Sequence, residues 1–208
     1  MKAAVSYLTG LPYVQAVGMV GVCTSASNAA YLAADDGRIK AMATVAAFLP
    51  DPSLFKLMFG EAGVAERRQA GEAARLKYEK TAEETIVPAY SEVDQSAVNF
   101  GPAGSFDYYL NKKRGNVPEY KNESAVMFWE NWLDFDPVSK ASGISVPSMV
   151  VHSDGSAFPD QAKKFYAGLK GPKELIWTDG THFDYYDQPT QVDNAVKNVA
   201  RFFDKHLR

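Results

Sequence analysis

The only cysteine of the chain stands at the junction between an apolar run and a helix-prone segment. The apolar, β-prone run covers residues 16–22, Cys23 follows directly, and residues 26–34 are typical of a helix. The residues around the cysteine are small or short, in the order Gly21-Val22-Cys23-Thr24-Ser25. A tight turn from a strand into a helix needs small residues, because neighbouring stretches of backbone come close there. The sequence therefore predicts a strand, a sharp turn and a helix, with Cys23 at the apex.

Such a turn exposes the apical side chain and directs backbone N–H groups of the helix towards it. Both effects favour a thiolate and a developing oxyanion, so Cys23 is a candidate nucleophile and the N–H of Thr24 a candidate oxyanion donor. One alternative is a buried structural cysteine after a core strand. Another is Ser25 as the nucleophile, because it is the centre of a second small-residue frame that ends at Ser27. We favour Cys23 because it follows the strand directly.

Length, charge and cysteine content exclude several classes of function. A chain of 208 residues can form one domain with a sizeable core. Its net charge of −3 gives no reason to expect a nucleic-acid partner. One cysteine allows no internal disulfide, and no apolar run has transmembrane length. We therefore expect a cytoplasmic protein that acts on a small molecule, without nucleic acid or membrane as partners.

The order of apolar runs and helical segments predicts the α/β class. Apolar runs alternate with helical segments in residues 1–52 and 134–208, which is typical of a parallel, doubly wound sheet of about four strands. Residues 53–133 interrupt this alternation with a charged, helix-prone stretch followed by an aromatic-rich one. We expect these residues to form a helical cap inserted into the core.

Two further candidate residues follow the third and fourth predicted strands. Asp154 stands just past one strand and His182 just past the next. Because the carboxyl ends of parallel strands share one edge of a sheet, both are expected to lie close to Cys23. The histidine would deprotonate the nucleophile, and the carboxylate would fix the tautomer of the ring.

Alternatives remain open for these residues. Asp154 also suits a turn before Gly155. Asp160 and Asp184 are rival acids, although Asp160 suits a helix cap better. The other two histidines are more easily explained as structural residues. His152 lies at a strand end, and His206 lies in the last turn of the final helix. The pattern implies neither a metal nor an organic cofactor.

Several segments resemble the α/β-hydrolases related to dienelactone hydrolase. The resemblance is carried by the residues Gly21-Val22-Cys23-Thr24-Ser25, by Asp36-Gly37-Arg38-Ile39-Lys40-Ala41, by Pro172-Lys173-Glu174-Leu175 and by Gly180-Thr181-His182-Phe183-Asp184-Tyr185-Tyr186-Asp187. In the enzymes of this family a cysteine or serine at the elbow attacks an ester or lactone. The resemblance implies a hydrolase of a small ester, lactone or thioester, with Cys23, His182 and Asp154 as nucleophile, base and acid.

The sequence departs from this family in two respects. Ser25 and Ser27 stand where many relatives have glycine, and only one helix precedes the first predicted strand, where the family has several strands. The missing part usually carries a second oxyanion donor, so a catalytically impaired, hydrolase-like binding protein is the alternative function. The first strand would also have an unpaired edge, which predicts an N-terminally shortened chain or a homodimer through residues 17–22.

Overall fold

The computed structural model describes all 208 residues, and they form two compact units. The first unit contains Met1–Asp51 and Asp136–Arg208, and the second contains Pro52–Phe135. None of the helices combines the length and the apolar character that crossing a membrane requires.

The helices and strands alternate along the first unit and are short and irregular in most of the second. In chain order they are α1 (Lys2–Thr9), β1 (Val17–Val22), α2 (Thr24–Asp35), β2 (Ile39–Val45), α3 (Pro52–Thr81), β3 (Ile86–Pro88), β4 (Tyr90–Ser91), β5 (Asn99–Phe100), α4 (Asp107–Leu110), β6 (Glu123–Ala125), α5 (Trp129–Trp132), α6 (Pro137–Lys140), β7 (Ser148–Gly155), α7 (Pro159–Gly168), β8 (Lys173–Thr181), α8 (Asp184–Asp187) and α9 (Pro189–His206), with 3-10 turns at Val126–Phe128 and Ala141–Gly143.

Four parallel strands form the sheet of the first unit, in the order β1-β2-β7-β8. The register pairs Val22 with Val45 and Val45 with Val151, so that the carboxyl ends of three strands lie side by side. This sheet confirms the predicted α/β class with a parallel sheet of about four strands. Strand β1 is at one edge of the sheet. Self-association through that edge stays a prediction.

Helices cover both faces of the sheet because its central strands are apolar on both sides. On β2, Met42 packs into a core that α1, α2 and α7 share, whereas Ala41 and Ala43 pack into a second core with α8 and α9. On β7, Val150 faces the first core, and Met149 and Val151 face the second. This alternation is that of a doubly wound sheet.

The second unit has a small core of its own. Phe55, Trp129 and Leu133 are buried there among partly buried aromatic side chains. Its main helix, α3, is bent at Gly60, whose φ of 68° is incompatible with a continuous helix. Besides its helices, this inserted unit contains two small sheets, in which β3 pairs with β6 and β4 pairs with β5.

Candidate active site

Cys23 occupies a strained turn between β1 and α2. Its φ of 54° and ψ of −124° lie outside the regions that side-chain-bearing residues usually adopt. The backbone around it is held in place from both sides: its N–H donates to the carbonyl of Val45 at 3.2 Å, and its carbonyl accepts from the N–H groups of Ala26 and Phe48. Strain that hydrogen bonds maintain in this way is common at functional sites.

Gly21 makes this turn sterically feasible. A Cβ atom at this position would lie 2.5 Å from the Cα of Ala26 and would also overlap the carbonyl oxygen of Ser25. Both obstacles are backbone, which cannot rotate away. Strand β1 and the first turn of α2 therefore approach as closely as they do only because residue 21 has no side chain.

The two candidate nucleophiles have different surroundings. Cys23 is partly buried, with its Sγ 3.7 Å from the hydroxyl of Thr24. Ser25 is exposed in the first turn of α2, and no hydrogen bond joins it to a histidine. Thr24 is the first residue of α2, where backbone N–H groups have no acceptor within the helix and the helix dipole is positive.

His182 lies beside Cys23 although 159 residues separate them in the chain. Its Nε2 is 3.3 Å from the Sγ of Cys23 and 3.0 Å from the hydroxyl of Tyr186. The histidine follows β8 directly, and its backbone N–H donates to the carbonyl of Gly155 at the end of β7. The parallel sheet thus brings Cys23 and His182 together at its carboxyl edge.

Asp154 does not contact His182. Its carboxylate is 3.3 Å from the ammonium of Lys163, and its side chain is 76% exposed. Hydrogen bonds from the Trp177 indole and from Lys163 hold the pKa of this carboxyl below its usual value. Asp154 shares a face of β7 with Val150, the face that packs against α7, and it is therefore directed to the lysine of that helix.

The rival acids also lie elsewhere. Asp160 is almost fully exposed, 3.9 Å from Lys163. Asp184 accepts the N–H of Thr181 at 2.7 Å and so stabilises the turn after β8. No carboxylate is hydrogen-bonded to the ring of His182.

Two groups that the sequence interpretation missed contact the other ring nitrogen of His182. The Ser156 hydroxyl lies 3.0 Å from Nδ1, and the N–H of Ala157 donates to the same atom at 3.2 Å. Ser156 is buried and follows an irregularity in the register of β7 between Ser153 and Gly155. The one feature of the sequence that could have indicated Ser156 is its position directly after the predicted turn at Asp154-Gly155.

Burial determines the charge of the two histidines at the strand ends. It lowers the pKa of His182 to about 4, with a smaller contribution from the nearby His152. Burial likewise lowers the pKa of His152 to about 4. His152 is fully buried, and its ring nitrogens make no hydrogen bond of ordinary geometry, although an interaction with the backbone of Ala157 raises its pKa against the effect of burial. Both rings are therefore neutral near pH 7, when His182 can accept a proton.

The structure contains no group of three or more His, Cys, Asp or Glu side chains that could hold a metal ion. The chemistry available at this edge of the sheet is that of a thiol beside a neutral imidazole, at the N-terminus of a helix.

Solved structures with the same fold span nearly the whole chain. The structure of DcsB in complex with its substrate analogue has a TM-score of 0.78 over 98% of this chain and 70% of that chain, at 15% identity. The α/β-hydrolase GrgF from Penicillium sp. sh18 has a TM-score of 0.75 over 99% of this chain and 70% of that chain, at 21% identity.

The chain has the α/β-hydrolase fold. An enol-lactonase from Burkholderia xenovorans shares it, with a TM-score of 0.51 at 16% identity over 92% of this chain and 66% of that chain. No protein-family model matches the sequence. The finer relationship to dienelactone hydrolase stays a prediction.

Curated relatives of this α/β-hydrolase-fold chain are distant and longer. An uncharacterized protein of Pseudomonas aeruginosa is 26% identical over 216 residues, which cover 99% of this chain and 57% of the relative. YcjY of Escherichia coli is 24% identical over 100% of this chain and 70% of its own length. The thiohydrolase aneE of Aspergillus aculeatus is 23% identical over 86% of this chain and 59% of its own length. The chain thus spans 57% to 70% of the length of these relatives.

Proposed function

We propose that this protein hydrolyses a small ester, lactone or thioester through a covalent acyl-cysteine at Cys23. The observation that carries this proposal is the distance of 3.3 Å between the Nε2 of His182 and the Sγ of Cys23, at the apex of a strained turn. Acyl transfer requires at least a nucleophile and a base within hydrogen-bond distance of each other. A relative that is named a thiohydrolase supports the same class of reaction.

The reaction begins with proton transfer from the Cys23 thiol to the Nε2 of His182. The sulfur attacks the acyl carbon, and the carbonyl oxygen gains the negative charge of a tetrahedral intermediate. The intermediate collapses to an acyl-cysteine when the leaving oxygen or sulfur takes the proton from His182. Water then gives a proton to His182 and attacks the acyl carbon. The carboxylic acid departs, and the cysteine sulfur regains its proton.

The N-terminus of α2 stabilises the charges of this sequence. The backbone N–H of Thr24, directly after the nucleophile, is the proposed donor to the oxyanion. The positive end of the helix dipole favours the thiolate as well as the oxyanion.

Aromatic side chains near Cys23 suit an apolar acyl group. The backbone N–H of Phe48 is hydrogen-bonded to the carbonyl of Cys23, and the Phe48 ring packs edge-on against Phe158 at 5.7 Å between centroids. Phe183 and Tyr186 pack edge-on against the ring of His182. We expect short to medium apolar acyl chains to be preferred over charged ones.

The test is turnover of p-nitrophenyl esters, lactones and acyl thioesters by the unmodified protein, by Cys23→Ala and by the matched control Ser25→Ala. We expect Cys23→Ala to lose activity and Ser25→Ala to keep most of it. Mass spectrometry should detect the acyl group on the peptide that contains Cys23. Activity that survives in Cys23→Ala and disappears in Ser25→Ala would contradict the proposal, and binding without turnover would favour the alternative, a catalytically impaired binding protein.

A further inference from the structure

The Nδ1 atom of His182 has two neighbours that differ in whether they can accept a hydrogen bond. The N–H of Ala157, 3.2 Å away, can only donate a hydrogen bond. The hydroxyl of Ser156, 3.0 Å away, can donate or accept. In a neutral imidazole Nδ1 carries either a proton or a lone pair. A lone pair can accept from both neighbours, whereas a proton on Nδ1 can be accepted only by the Ser156 hydroxyl.

The tautomer decides whether Nε2 can act as a base. When Nδ1 has the lone pair, it accepts from Ala157, and the ring proton is then on Nε2, facing Cys23. When Nδ1 has the proton, it needs an acceptor, and Nε2 then offers its lone pair to the thiol. Only the second tautomer can take the proton of Cys23 in the first step.

Ser156 is the acceptor that the structure provides for the second tautomer. Its hydroxyl is buried, and its backbone N–H is bound to the carbonyl of Ser153, which holds the residue in the turn after β7. The carboxylate predicted for this place, that of Asp154, is paired with Lys163 instead. The acceptor is therefore a neutral hydroxyl where a catalytic triad has a carboxylate.

We infer that Ser156 is the positioning residue of this site: of the two groups at Nδ1 only its Oγ can accept the Nδ1–H of His182, and it thereby supports the productive tautomer against the N–H of Ala157, which favours the other. This inference rests on the proposed function of Cys23 and His182. In this arrangement Ser156 acts through His182, by fixing the tautomer and orientation of its ring, and not by contact with the substrate.

A neutral acceptor has a consequence for the charge of the site. A carboxylate at Nδ1 would stabilise the imidazolium, whereas a hydroxyl leaves His182 neutral. The titratable groups at Nε2 are Cys23 and Tyr186, and His152 lies nearby; none of these is a carboxylate. Introducing a carboxylate at position 156 should therefore move the acidic limb of the pH profile of kcat/KM to higher pH.

The experiment compares Ser156→Ala, Ser156→Thr and Ser156→Asp with the unmodified protein. Nitrogen-15 NMR of the imidazole side chains gives the tautomer of His182, and with only three histidines in the chain its signals can be assigned with one His182→Gln sample. Turnover of the best acyl substrate is measured on the same samples, and circular dichroism verifies that each variant is folded.

We expect Ser156→Ala to lose the Nδ1–H tautomer and to lower kcat on the order of 10²-fold, with a small change in KM. Ser156→Thr keeps the hydroxyl and should restore both the tautomer and most of kcat. Ser156→Asp should raise the acidic limb of the pH profile, and this variant decides the matter if Ser156→Ala does not fold.

Equal tautomer populations in the unmodified protein and Ser156→Ala would overturn the inference, as would an unshifted acidic limb in Ser156→Asp. Failure of the proposed function looks different. In that case the unmodified protein turns over no acyl substrate, while the loss of the Nδ1–H tautomer in Ser156→Ala still supports the role of Ser156 at the ring.

Discussion

His152 should make the stability of this protein depend on pH between about 4 and about 6.5. The ring is fully buried, its nitrogens make no hydrogen bond of ordinary geometry, and burial lowers its pKa from 6.5 to about 4 despite an interaction with the backbone of Ala157 that raises it. The unfolded chain therefore binds a proton in this range that the folded protein does not. Stability is complete above the unfolded pKa, falls as the pH decreases towards the folded pKa, and is constant below it.

The size of the effect follows from the two pKa values. Between about pH 7.5 and about pH 5, a shift from 6.5 to about 4 removes about 2 kcal/mol from the free energy of unfolding. His182 contributes in the same direction, but less, because its ring is partly exposed. Replacing His152 by Leu, which has a similar volume, should remove the contribution of about 2 kcal/mol and cost little near neutral pH, since no hydrogen bond of ordinary geometry is lost.

The assay is urea denaturation at both pH values, followed by circular dichroism. Met149→Leu is the matched control, since Met149 is as fully buried on the opposite face of β7 and has no titratable group. The control should lose as much stability on acidification as the unmodified protein, and His152→Leu should lose about 2 kcal/mol less. An equal loss in His152→Leu and Met149→Leu would refute the reasoning, because His152 would then not be a neutral, desolvated group in the folded state.

Two further predictions concern the turn at Cys23 and the aspartate after β7. Gly21→Ala should destabilise the protein by several kcal/mol, because its Cβ would overlap backbone of Ser25 and Ala26, whereas Gly37→Ala, with nothing within 4 Å, should change stability by less than about 1 kcal/mol. A melting temperature for Gly21→Ala close to that of Gly37→Ala would contradict the description of the turn. Asp154→Asn should leave kcat within about threefold of the unmodified protein, because its carboxylate pairs with Lys163 at the surface and general-base catalysis is worth about 10²–10⁴-fold. A loss of kcat as large as that of Ser156→Ala would show that Asp154 supports His182 after all.

Local patterns in the sequence were sufficient for the architecture of the first unit. The apolar runs before Cys23 and before Asp154 are β1 and β7, and the segment after Cys23 is α2. These patterns are local. A buried parallel strand is indicated by a short continuous apolar stretch, and a helix by the spacing of its apolar residues and by the residues that end it. The turn at Cys23 is local as well, since the clash that excludes a side chain at Gly21 is with residues only four and five positions away.

The sequence left the interior of the second unit and the contacts of the proposed catalytic residues undetermined. The strands β3 to β6 are two or three residues long, too short for a recognisable alternation. The structural reason for proposing Cys23 rather than Ser25 as nucleophile is the contact of Cys23 with His182, which spans 159 residues.

The sequence by itself determined the strand order along the chain, the strained turn and the histidine loop. Only the tertiary structure decided that Ser156, and not Asp154, meets the ring of His182. In a strand, successive side chains alternate between the two faces, so an aspartate at a strand end can face either a neighbouring helix or the active site. Asp154 lies on the face of β7 that packs against α7 and pairs there with Lys163, whereas Ser156 comes after the irregular pairing of β7 with β8, and neither arrangement can be read from the sequence around Asp154.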